Sequence, residues 1–116
     1  MTGSIVTTGP MVETRALVDT GSAWSVLPPD VAGRLGVGTR TRRAATYADG
    51  RSERVAVAEP VLFELLGRDI VEDVLVLGNL VLIGQTVLQK LDLLVDCRGE
   101  RVIPNPAHPD GPVARI

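Results

Sequence analysis

Ala16-Leu17-Val18-Asp19-Thr20-Gly21-Ser22-Ala23-Trp24-Ser25-Val26-Leu27-Pro28 is the stretch on which the reading of this chain turns. An apolar run of strand character leads straight into Asp19, so a carboxylate stands where a buried strand meets a tight turn. Thr20 can hydrogen-bond locally, and Gly21 lets the backbone bend and come close to another chain or a ligand. Alone, Asp-Thr-Gly is also what an Asx turn closing a strand looks like. The surroundings decide between the two.

Outward from this stretch, apolar runs of strand length alternate with turn signals, which predicts a mainly β chain. Strands are expected at 4–8 and 14–18, and residues 28–36 allow one or two helical turns before Gly36 stops them. Asp49-Gly50 joins extended runs at 44–47 and 52–57, a hairpin signal because both residues tolerate positive φ. A second hairpin is expected from 61–66 and 70–77 around Gly67-Arg68-Asp69. Residues 85–91 form the one definite helix, in the C-terminal half, with Val87, Leu88 and Leu91 on one face. A third hairpin pairs 93–96 with 101–103. The tail from Pro104 to Pro112 holds four of the eight prolines and is expected to be irregular and solvated, before a short strand at 113–116.

Composition narrows the function. A chain of 116 residues fits one domain, 1–116 with its Pro-rich tail at 104–116, and excludes an enzyme of two large lobes. The 12 basic and 14 acidic residues nearly balance, so broad electrostatic binding to nucleic acid is not expected. Cys97 is the single cysteine, which excludes an intrachain disulfide and suits a reducing, cytoplasmic setting. The amino terminus lacks a secretory pattern, and the most apolar segment, 74–84, is too short for a membrane helix, so no membrane partner is expected. Cys, His and carboxylates show no metal-ligand spacing, so neither metal nor cofactor is expected.

The ordered set of motifs resembles the retropepsin-like aspartic proteases, in particular small bacterial single-domain members related to retroviral proteases. Asp19-Thr20-Gly21-Ser22 is similar to the family's Asp-Thr/Ser-Gly-Ala/Ser signature, with apolar residues before it and the hydroxyl of Ser25 three positions after Ser22. Leu82-Ile83-Gly84 is similar to the second signature, two apolar residues and a glycine ahead of a helix. The Asp49-Gly50 hairpin lies between them, where the family has its flap, and the likeness spans residues 5–103. The resemblance implies a closed β-barrel acid-protease domain that hydrolyses peptides. It also shows departures: Gln85 and Ala23-Trp24 stand where retroviral enzymes carry an Arg–Asp pair, and the flap is charged rather than glycine-rich.

The chemistry explains the motif. Hydrolysis by this route needs one carboxylate to activate a water and another to donate a proton. Two carboxyls about 3 Å apart share a proton because both cannot ionise comfortably; aspartic proteases are the standard example of this behaviour. The chain has one Asp-Thr-Gly, so the pair must come from Asp19 of two chains related by a twofold axis, a homodimer. By resemblance, Asp19, Thr20 and Gly21 form the catalytic loop, with Thr20 tying the two loops together. Ser22, the flap residues Tyr47, Ala48, Asp49 and Gly50, and Leu82, Ile83 and Gly84 contact a peptide or protein substrate; Leu17 and Trp24 are further pocket candidates. The alternative is a catalytically silent module that binds peptides through the same cleft. A serine hydrolase is disfavoured: Gly21-Ser22-Ala23 is not a nucleophile elbow, and His108 lies in the Pro-rich tail. The cluster Arg40, Arg42 and Arg43 reads as a solvated strand face.

Overall fold

A computed structural model of the chain describes residues 2–6, 11–113 and 116. In chain order its elements are β1 (Thr2–Val6), β2 (Met11–Arg15), β3 (Leu17–Asp19), β4 (Val26–Leu27), α1 (Pro29–Leu35), β5 (Thr39–Thr46) and β6 (Ser52–Ala58). They continue with β7 (Val61–Leu65), β8 (Arg68–Glu72), β9 (Leu75–Val76), β10 (Leu82–Gly84), α2 (Gln85–Leu91), β11 (Leu93–Asp96) and β12 (Arg101–Pro104). The mainly β expectation holds. Among the described residues the ladders run as a four-stranded sheet β2-β1-β7-β8, a six-stranded sheet β3-β10-β4-β9-β6-β5 and the ribbon β11-β12, and they do not trace one closed ring.

Turn chemistry sets the hairpins. Tyr47 N–H donates to Arg51 O at 2.8 Å and Gly50 N–H to Tyr47 O at 2.9 Å, closing the β5–β6 turn with Gly50 at φ 87°. The β7–β8 turn is Leu66-Gly67, both left-handed at φ 52° and 75°, so Arg68 and Asp69 belong to the strand rather than to the turn. A two-residue turn of this hand matches the twist of its strands, which explains the shift. The run expected at 70–77 divides: β8 ends at Glu72, and β9 crosses to pair with β4 and β6 in the larger sheet.

The definite helix expected at 85–91 is α2, and the one or two helical turns expected within 28–36 form α1, of equal length. Pro29 opens α1 with a preset φ, Asp30 faces the positive end of its dipole, and Gly36 closes it at φ 71°. Val31 and Leu35 of α1 and Val87, Leu88 and Leu91 of α2 join Leu27, Val61, Phe63, Val74 and Ile83 in one core. Full burial of each large aliphatic side chain contributes about 1.5–3 kcal/mol, so the core dominates the stability of so small a chain.

The tail is a correction. It is irregular, as expected, but it is fastened down. Arg68, 6% exposed, donates to Leu91 O at 3.1 Å, Asp92 O at 2.9 Å and His108 O at 2.5 Å. Asp92 closes α2 in the left-handed region at φ 56°, and its carboxylate accepts Asn105 Nδ2–H at 2.9 Å and meets His108 Nδ1. A cation buried among carbonyls must be bonded to them, and that need draws the tail in. Of the strand expected at 113–116, residues 114–115 lie outside the described residues, and Val113 is in no strand. No helix among the described residues is long and apolar enough to cross a membrane.

Candidate active site

β3 and β4 are consecutive in the chain, yet β10 lies between them, parallel to β3 and antiparallel to β4. The register sets Leu82 against Leu17, Ile83 against Val18 and Gly84 against Asp19. The loop 20–25 must therefore arch over the end of β10, and Gly84 lies beneath it. A Cβ on Gly84 would stand 2.6 Å from Trp24 O and 2.8 Å from Ser22 O, so only glycine fits. This close approach is the physical content of the glycine in Leu82-Ile83-Gly84.

The loop is tied to β10 and to α2. Ser25, 2% exposed, accepts Gly84 N–H on Oγ at 2.9 Å. Gln85 N–H donates to Ser22 O at 2.7 Å, which satisfies one of the free donors that open α2. Thr86 Oγ1 donates to Ala23 O at 2.7 Å, and Ser22 Oγ to Trp24 O at 2.7 Å. Where the resemblance leads one to expect an Arg–Asp pair, this chain ties the same segments with a threonine hydroxyl and a carbonyl.

Asp19 ends β3, an outer strand of its sheet, and is half-buried. Its Oδ1 accepts Gly21 N–H at 2.9 Å, and Ser22 N–H donates to Asp19 O at 3.2 Å. The turn thus fixes the carboxylate at the loop's mouth while Thr20 and Gly21 stay exposed. Beside it opens a cleft of about 480 Å³, bounded by Gly21, Ser22 and Trp24 of the loop, Arg43 to Tyr47 of β5 and its turn, and a floor of Val26, Leu75, Leu77 and Leu82. The Tyr47 hydroxyl donates to the Glu53 carboxylate, and that bond, first among the causes, holds the phenol's pKa above its ordinary value.

Of the residues expected at the site, Gly21, Ser22, Trp24, Tyr47 and Leu82 border this cleft. Ile83 does not: it is 2% exposed and belongs to the core, because alternation along β10 turns it away from Leu82. Leu17 is 55% exposed and borders a separate depression of about 300 Å³ with Val95 and Val102. Gly84 acts through its missing side chain. Ala48, Asp49 and Gly50 form the exposed hairpin tip, where the Asp49 carboxylate holds Arg51 at 2.7 Å. Arg43 and Ala45 were not anticipated; alternation back from Tyr47 along β5 is the signal that finds them.

The crossing of β10 between β3 and β4, under an Asp-Thr-Gly loop, defines a retropepsin-like fold. Among solved structures, the chain is similar to the retroviral protease-like domain of Ddi1 from Leishmania major, with a TM-score of 0.60, 19% identity, and coverage of 90% of this chain and 87% of that one. At that identity the likeness establishes the fold. No protein-family model matches the sequence, and no curated protein matches it.

Proposed function

We propose that this chain is half of a homodimeric aspartic endopeptidase, akin to the small bacterial single-domain members of the retropepsin-like family and working in the cytoplasm. The observation that carries the reading is the placement of Asp19: a half-buried carboxylate fixed by its own turn, at the end of an outer strand, beside a cleft of about 480 Å³. A second copy brings its own Asp19 to the first. The exposed Leu17, two residues before Asp19, and Val95 beside it offer apolar surface for that copy. One carboxylate takes a proton from the water that attacks the peptide carbonyl, and the other gives a proton to the leaving amine. Thr20 links the two loops, Gly21 offers its carbonyl to the substrate backbone, and Ser22 with Leu82 lines a pocket. The hairpin from Tyr47 to Gly50 closes over an extended peptide.

Because the pair works with one shared proton, activity falls where both carboxyls are protonated and again where both are ionised. The test compares wild type and Asp19→Asn on a mixed peptide library across pH. Cutting by wild type alone, with a bell-shaped profile, supports the reading. Equal cutting by both removes Asp19 from the chemistry and overturns the reading; binding without cutting at any pH favours the silent peptide-binding module.

A further inference from the structure

Among the described residues, Arg43 is the only charged one that borders the cleft beside Asp19. Its guanidinium carbon lies 5.4 Å from the centre of the Trp24 ring, and Trp24 is itself part of the cleft wall. The stacking orients the cation without neutralising it. Three other arginines are paired: Arg40 lies 3.2 Å from Asp73, Arg51 2.7 Å from Asp49, and Arg101 3.1 Å from Asp96. Arg43 has no carboxylate within ion-pair distance among the described residues.

The register separates it from its basic neighbours. Arg43 stands opposite Val55, and Ala45 opposite Glu53, on the face of the β5–β6 hairpin that packs with Trp24. Arg42 and Arg54 fall on the other face, where Arg54 stands opposite Ala44. The carboxylate on the inner face, Glu53, is engaged by the Tyr47 hydroxyl. Among the described residues, the inner face therefore offers a ligand one free cation, above a floor of Val26, Leu75, Leu77 and Leu82.

We propose that Arg43 is a specificity-determining residue that selects peptides with an acidic side chain, Asp or Glu, in the part of the cleft bordered by the Arg43 guanidinium as it rests on the Trp24 ring. The inference rests on the peptidase reading and adds the substrate class. In an extended peptide alternate side chains share one direction, so an apolar side chain enters the floor and the acidic one stands two positions away. A guanidinium already held on an aromatic face loses less freedom on pairing than a free one.

The experiment uses acetylated, amidated peptides that differ only by Asp, Asn or Lys at each position in turn, so no terminal carboxylate competes. At one position, wild type is expected to cut the Asp peptide about three- to tenfold faster than the Asn peptide, as kcat/KM, the scale of a partly exposed ion pair. That ratio falls to about one in Arg43→Gln, and Arg43→Glu cuts the Lys peptide faster than the Asp peptide, as complementary charge requires. Peptides cut with no acidic preference, or a preference that neither variant alters, overturn this inference and leave the peptidase reading standing. If wild type cuts nothing, fluorescence anisotropy with the same peptides decides: binding with the same charge ratios upholds the Arg43 subsite while the peptidase reading falls, and no binding at all removes both.

Discussion

The two ends of α2 are held in different ways. At its start, backbone meets backbone: Gly84 lies within van der Waals distance of the Trp24 and Ser22 carbonyls, and Gln85 N–H closes on Ser22 O at 2.7 Å. At its end, side chains do the holding: Arg68 gathers the Leu91, Asp92 and His108 carbonyls, while Asp92 engages Asn105 and His108. The first contact fixes the loop that carries Asp19, and the second fastens the tail. Backbone contact allows almost no substitution, because a carbonyl cannot step aside as a flexible side chain can. A lock of side chains can be loosened by degrees, and its charged members answer to pH.

The comparison breaks most sharply at Gly84. Gly84→Ala forces a Cβ against two main-chain oxygens, and a loss of about 3 kcal/mol or more is expected in chemical denaturation. A change below about 1 kcal/mol would mean that the loop does not bear on β10 as described. Next comes Arg68→Ala, which strips partners from three carbonyls, two of them at the end of α2, and is expected to cost about 2 kcal/mol. Hydrogen exchange distinguishes the two ends. The amide of Asn105, bonded to Asp92 O at 3.0 Å, should lose protection in this variant, while the amide of Gly84 keeps it. Equal loss at both would show that the tail and the loop open as one unit.

The smallest effect is in acid. The hydrogen bond from Asn105, and after it the one from His108, holds the Asp92 carboxyl below its ordinary pKa. A group whose folded pKa is depressed contributes stability above its unfolded value and loses it as pH falls through the folded value. The melting temperature of wild type should therefore drop more steeply below about pH 4 than that of Asp92→Asn. Parallel curves would remove Asp92 from the lock.

The same contrast explains what was legible in the sequence. Asp19-Thr20-Gly21 and Leu82-Ile83-Gly84 could be read because each encodes a local backbone requirement, a tight turn in one and a missing side chain in the other. The β5–β6 hairpin was legible through Asp49-Gly50 for the same reason. The tail lock was not, since Arg68 and His108 are 40 positions apart and follow no period. His108 read as solvated because prolines flank it, and nothing local announces a partner at Asp92. Ile83 was misplaced beside Leu82 because the motif names both residues, whereas the strand's alternation sends one to the cleft and the other to the core. Arg43 was read as part of a solvated cluster; its position opposite Val55, on the Trp24 side, emerges only once the hairpin register is known.

The central claim is that Asp19 works in a pair drawn from two copies of this chain. It is tested most directly by holding wild type at fixed concentration, with saturating peptide, and adding Asp19→Asn. Exchange into mixed dimers predicts that the rate falls in proportion to the wild-type fraction, to about half at equal amounts. A rate that stays constant as Asp19→Asn is added would mean that each chain carries a complete site, and would contradict the account.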